Sequence, residues 1–129
     1  MLHCALYNGD CMAALPGLKD ESVHLSIYSP PFCGLYNYSS DPRDMSNCRS
    51  PEEFFAHYLF LVEEIHRVMM PGRLSCVHAM DIPKGGDRGL MDLPGDIIRL
   101  HCRCRKADCK ASDYDREAGN CGHGMFRRS

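Results

Sequence analysis

The chain has 129 residues, 44% hydrophobic and 25% charged, with a formal net charge of −2, which allows one domain with one core and is too little for two. The near-neutral balance excludes nucleic-acid binding driven by overall charge, so any such contact has to use a local basic surface. A membrane span is excluded as well, because the most apolar window, residues 54–70, is broken by Glu63, Glu64, His66 and Arg67.

Residues 1–10 lack the basic start and long apolar stretch of a signal peptide. Residues 3–8 alternate weakly and predict a short strand ending at Asn8-Gly9-Asp10, where Asp10 can cap a short helix over 11–15. Pro16-Gly17 stops that helix. The apolar run Val23–Tyr28 follows and reads as a buried strand, so strand, short helix and strand form a compact βαβ unit with a parallel pair. Ser29-Pro30-Pro31-Phe32 comes directly after it. Two prolines remove two backbone donors and force the chain out of the ladder. A rigid, extended tetrapeptide results at the carboxyl end of a strand, where open α/β sheets place their ligands. The Ser29 hydroxyl and the Ser29 and Pro30 carbonyls can accept hydrogen bonds from an NH2 group, and Phe32 offers a ring to an extruded base.

Residues 33–49 form a long loop with Tyr36, Asn37, Tyr38, Arg43 and Arg49 as candidate contacts to a nucleic-acid backbone or neighbouring bases. Ser50-Pro51-Glu52-Glu53 is a helix start, with Ser50 as cap, Pro51 at the first position and Glu53 completing a capping box. Apolar residues at helical spacing predict a helix over 51–70, with His57 and His66 on its surface or core edge. Pro71-Gly72 ends it, and residues 74–80 read as a third buried strand. Gly85-Gly86 is not a phosphate loop, because the following Lys-Ser/Thr pair is missing. A further helix begins at Asp96.

From His101 the chain loses periodicity and apolar content, so residues 1–101 read as the domain and residues 102–129 as a disordered or frame-changed tail. The tail's Cys102, Cys104, Cys109, Cys121 and His123, with His101, offer soft ligands, but C-x-C-x4-C-x11-C-x-H lacks the paired knuckles of structural zinc sites. No metal is therefore assigned, and a zinc-binding module stays an alternative. So does a non-catalytic nucleic-acid-binding module using Arg103, Arg105, Lys106, Lys110, Arg127 and Arg128. The nine cysteines are odd in number and those before residue 80 show no repeating spacing, which suits reduced thiols in the cytoplasm.

Taken together, the Gly-Asp turn, Ser-Pro-Pro-Phe about 20 residues later, and a long helix leaving through Ile65-His66-Arg67-Val68-Met69-Met70-Pro71-Gly72-Arg73 into a strand resemble an amino-group DNA methyltransferase. The resemblance covers residues 3–101 and is nearest the group whose catalytic half precedes the cofactor half. The loop from Cys33 also looks like bacteriophage versions. It implies a partial Rossmann-like α/β fold and methyl transfer from S-adenosylmethionine to cytosine N4 or adenine N6 in double-stranded DNA. It further implies that Ser29, Pro30, Pro31 and Phe32 hold the target base, and that Asp10 lies near the adenine of the cofactor. Ser at the first motif position is commoner among the cytosine-N4 enzymes. The family's Gly-rich cofactor turn occurs nowhere in this chain, so the fragment is expected to bind the cofactor weakly or not at all.

Overall fold

The computed structural model describes residues 1–84, 89–104 and 122–127. Helix α1 (Cys11–Ala14) runs into a 3-10 turn at Leu15–Gly17, and β1 (Val23–Tyr28) follows. After the long loop come α2 (Pro51–Val68) and β2 (Met69–Ala79), then β3 (Ile82–Pro83), β4 (Leu90–Met91), α3 (Leu93–Cys104) and β5 (Gly122–Arg127). The main sheet has the order β1-β2-β5, while β3 and β4 form a small hairpin.

α2 organises the packing. Its helical periodicity puts Phe54, Tyr58, Leu61, Val62, Ile65 and Val68 on one buried face. All but Val68 meet Met69, Val77, Ala79, Ile82, Leu93 and Ile97 in one core. At its start the Ser50 hydroxyl accepts from the Glu53 amide at 3.2 Å. The Glu53 carboxylate takes the amide of Arg49 at 2.8 Å, one residue before the cap, so the reciprocal bond of the expected capping box is displaced. At the other end Arg67 donates to the carbonyls of Leu15 and Leu18, both at 2.9 Å, pairs with Glu64 at 2.8 Å and also meets Asp20. The helix exit is thereby tied to the connection between α1 and β1. His57 is exposed and His66 half-buried, as expected of surface and core-edge histidines.

β1 and β2 run parallel, with Leu25 opposite Leu74 and Tyr28 opposite Val77. Residues 70–73 bulge out of this ladder between Met69 and Leu74, and Gly72 supplies the left-handed turn there with φ 74°. β2 is antiparallel to β5.

Three expectations change. Residues 3–8 form no strand, and their side chains are exposed. A strand needs a neighbour for its backbone groups, and none lies beside them among the described residues. Neither strand read as buried is covered on both faces: in β1 no residue is buried and Leu25 and Ile27 are exposed, and in residues 74–80 Ser75, Val77 and Ala79 are buried while Leu74, Cys76 and His78 are half-buried. The expected boundary at 101 falls inside α3, which ends at Cys104, and Gly122–Arg127 of the supposed tail pair with β2. β2 offers a second edge of unpaired N–H and C=O groups, and backbone pairing there needs no apolar run in the added strand.

Candidate active site

Because β1 and β2 are parallel, their carboxyl ends coincide, and the Ser-Pro-Pro-Phe tetrapeptide leaves the sheet at that end. Ser29 Oγ donates to the carbonyl of His78 at 3.0 Å and lies 3.5 Å from the carbonyl oxygen of Pro30. A hydroxyl has one proton and two lone pairs. With its proton spent on β2, exposed Ser29 can meet a ligand only as an acceptor. Pro30 is buried and Pro31 half-buried. Phe32 is half-buried, with its ring packed against the core and its centroid 6.4 Å from that of His78. It therefore offers part of a ring rather than a free platform. The Leu35 amide closes a turn onto the Phe32 carbonyl at 3.0 Å, with Gly34 at φ 69°.

Tyr28 points the other way and is held by a buried network that the sequence did not reveal. Its hydroxyl lies 2.9 Å from that of Tyr58 on α2 and 3.2 Å from Nε2 of His101 on α3. His101 Nδ1 is 2.8 Å from the Ile97 carbonyl. A carbonyl only accepts, so Nδ1 carries the proton, and in the neutral ring Nε2 accepts from Tyr28. Burial pushes the Tyr28 phenol up to about 12. The signal available beforehand was weak: a buried tyrosine needs a partner for its hydroxyl, but nothing in the order of residues says which.

Asp10 and Arg43 reach the same place from different elements. A cleft of about 720 Å³ is lined by Asp10, Cys11 and Met12 of the α1 turn, Pro31 of the tetrapeptide, Asp41 and Arg43 of the loop, and His57, Phe60 and Leu61 of α2. Asp10 caps α1, its Oδ1 accepting from the Met12 amide at 2.9 Å. The Cys11 thiol is pushed up, chiefly by burial and then by the Asp10 charge. Arg43 grips Asp41 through two nitrogens at 3.2 and 2.7 Å, which holds the Asp41 carboxyl down at about 2.

The loop is stapled from within. Asp44 accepts from the Ser46 amide at 2.9 Å and the Ser39 hydroxyl at 2.8 Å. Asn47 donates to the carbonyls of Ser39 and Asp41, both at 2.9 Å. Tyr38 and Arg49 line a second, polar recess of about 790 Å³ with Asn37, Asn47 and Glu53. Exposed Tyr36 lies beside Tyr38, ring centroids 6.2 Å apart. The loop candidates thus divide, with Arg43 on the cleft and Tyr38 and Arg49 on the recess. Asp81, just past β2, keeps its Oδ1 buried with no hydrogen-bond partner among the described residues, and the sequence did not single it out.

The alternatives rest on the tail. Both ring nitrogens of His101 are engaged inside the domain, and no cluster of three or more His, Cys, Asp or Glu residues suited to a metal occurs among the described residues. Cys109 and Cys121, and the side chains of Cys104 and His123, lie outside them. So do Arg105, Lys106, Lys110, Arg128 and the side chain of Arg127. No described helix is long and apolar enough to cross a membrane.

No family model matches the chain. Over 66 residues it is 33% identical to the type II methyltransferase M.BglII of Bacillus subtilis, a match covering 51% of this chain and 16% of that protein. Its fold superposes on TTHA0409 of Thermus thermophilus, assigned as a DNA modification methylase, with a TM-score of 0.65 at 19% identity, over 93% of this chain and 50% of that one. The form of TTHA0409 complexed with S-adenosyl-L-methionine gives 0.62 at 21% identity, over 93% and 53%. The cytosine-N4-specific PvuII DNA methyltransferase gives 0.56 at 19% identity, over 72% and 31%. The chain is a partial Rossmann-like α/β domain whose fold is that of these DNA methyltransferase structures, and it spans about half or less of each relative.

Proposed function

We propose that this chain is the base-holding half of a DNA methyltransferase, which presents an exocyclic amino group, cytosine N4 or adenine N6, in double-stranded DNA for methylation. One observation carries the reading: the Ser29 hydroxyl donates its hydrogen bond to the His78 carbonyl and presents its lone pairs to solvent as an acceptor. The similarity to M.BglII and to the fold of the PvuII enzyme supports it.

In this reading the extruded base stacks on the exposed part of Phe32 and donates its amino hydrogens to Ser29 Oγ and the Pro30 carbonyl. Drawing those hydrogens toward fixed acceptors takes the nitrogen lone pair out of conjugation with the ring and leaves it nucleophilic. Position and preorganised polar groups supply the acceleration, with no covalent enzyme intermediate. The donor is S-adenosylmethionine, which when bound supplies an electrophilic methyl group. The cleft fits one flank of such a ligand: Asp10 Oδ2 is free to accept beside Met12, Phe60 and Leu61. Arg43 and Arg49 serve the phosphates, and Tyr36 and Tyr38 the bases beside the target. The enzyme works in the cytoplasm, in keeping with the free thiols of Cys4, Cys11, Cys33, Cys48, Cys76 and Cys102.

Nucleosides test this without catalysis, because deoxycytidine and deoxyadenosine carry an amino group where thymidine has a carbonyl. Added to isotope-labelled protein, one amino nucleoside is expected to shift the amide signals of Ser29, Phe32, Cys33 and Gly34 while thymidine does not. Which nucleoside does so identifies the target base. Equal shifts with thymidine, or shifts confined to other residues, contradict the proposal.

A further inference from the structure

His78 meets the tetrapeptide twice. Its carbonyl receives the Ser29 hydroxyl at 3.0 Å, and its imidazole lies 6.4 Å from the Phe32 ring, centroid to centroid, at a tilt of 56°. Tilted rings at that separation attract each other, edge toward face. Both contacts follow from where the chain leaves β1. Tyr28 stands opposite Val77 in the parallel ladder, which brings Ser29 level with His78. Pro30 has no N–H with which to continue the rungs, and the Ser29 hydroxyl reaches across instead. Side chains alternate along β2: Val77 and Ala79 enter the core, while His78 turns to the other face and is half-buried. Phe32 packs on the core as well, and its backbone is held by the turn that the Leu35 amide closes at 3.0 Å.

A base that stacks on Phe32 and donates to Ser29 needs the ring and the oxygen in one fixed mutual geometry. A half-buried phenyl ring turns about two bonds unless a neighbour holds it. We infer that His78 is a positioning residue of the base site: its carbonyl aims the Ser29 hydroxyl, and its imidazole sets the orientation of the Phe32 ring on which the base stacks. The carbonyl is backbone and survives any substitution, so replacing the side chain separates the ring's part from the oxygen's. The assignment rests on the proposed role of Ser29, and the two fail in different ways.

The test titrates the full chain with deoxycytidine, deoxyadenosine and thymidine, as wild type, His78→Leu and His78→Phe, with circular dichroism checked for each. Leucine keeps an apolar side chain there but removes the ring. His78→Leu is expected to weaken the three nucleosides alike by about fivefold or more, the lower end of what one base stack is worth. Its preference for one amino nucleoside over thymidine is expected to remain, and His78→Phe is expected to restore the wild-type affinity. In wild-type protein, which needs no variant to fold, the ring proton signals of Phe32 and His78 are expected to shift together as nucleoside is added. Unchanged affinity in His78→Leu, a loss that His78→Phe does not recover, or a His78 ring that stays silent while Phe32 responds overturns the inference. Equal binding of thymidine by the wild type overturns the role of Ser29 instead, with the effect of the His78 ring on affinity still read from the same titrations. No binding of any nucleoside overturns both.

Discussion

Tyr28 and Ser29 are adjacent, and their hydroxyls have opposite fates. Ser29 is exposed and committed to accepting; Tyr28 is sunk between α2 and α3 and closes a network with Tyr58 and His101. Removing the Tyr28 oxygen takes one partner from each of two buried groups, so Tyr28→Phe is expected to cost about 1–2 kcal/mol in urea unfolding. The phenol also sets an alkaline limit. Its value rises from 10.0 to about 12, first because burial penalises the phenolate. The unfolded chain releases this proton near pH 10 and the folded chain near 12. The stabilisation is therefore complete below pH 10 and is lost as the pH rises through that window, by about 2–3 kcal/mol. Unfolding of Tyr28→Phe should lack that share of the alkaline loss; an identical pH profile would contradict the assignment.

α2 is the element most completely legible in the sequence. Ser50 and Pro51 mark its start, and its apolar positions repeat at helical spacing, so both boundary and buried face follow from local chemistry. The bounds of β1 and its exit into the tetrapeptide were legible for the same reason, since an apolar run followed by two prolines leaves few choices, but its burial was not: no residue of β1 is buried. The strand at residues 3–8 was not, because a strand exists only with a neighbour and neighbours are not written locally. The Tyr28–Tyr58–His101 contact was hidden likewise: it joins residues 73 apart in the chain. The helix makes a sharp comparison possible. Phe54 is fully buried, stacked at 5.8 Å on Tyr58 and edge-on at 5.2 Å to Phe55. Phe54→Ala is expected to cost about 3–5 kcal/mol. Phe60 is 61% exposed on the rim of the cleft, and Phe60→Ser should change stability by no more than about 0.5 kcal/mol. Denaturant midpoints of the two variants check the pair, and comparable losses would mean that α2 is packed on a different face.

At the scale of the whole molecule, the described residues form one covered sheet face, a β1 edge with no strand beside it and a cleft at the carboxyl ends. The cleft gathers Asp10, Pro31 and Arg43 from three separate segments, a convergence that the order of residues suggested only through the family resemblance. Recognition of an amino group at Ser29 is the claim on which the functional reading stands. Its most direct measurement is the affinity of wild type and Ser29→Ala for deoxycytidine, deoxyadenosine and thymidine. Wild type is predicted to prefer one amino nucleoside over thymidine by about tenfold, the effect of one hydrogen bond of roughly 1.4 kcal/mol. Ser29→Ala, with its circular dichroism unchanged, is predicted to bind both nearly alike. A preference that survives the substitution, or wild-type protein that binds thymidine equally well, would contradict it.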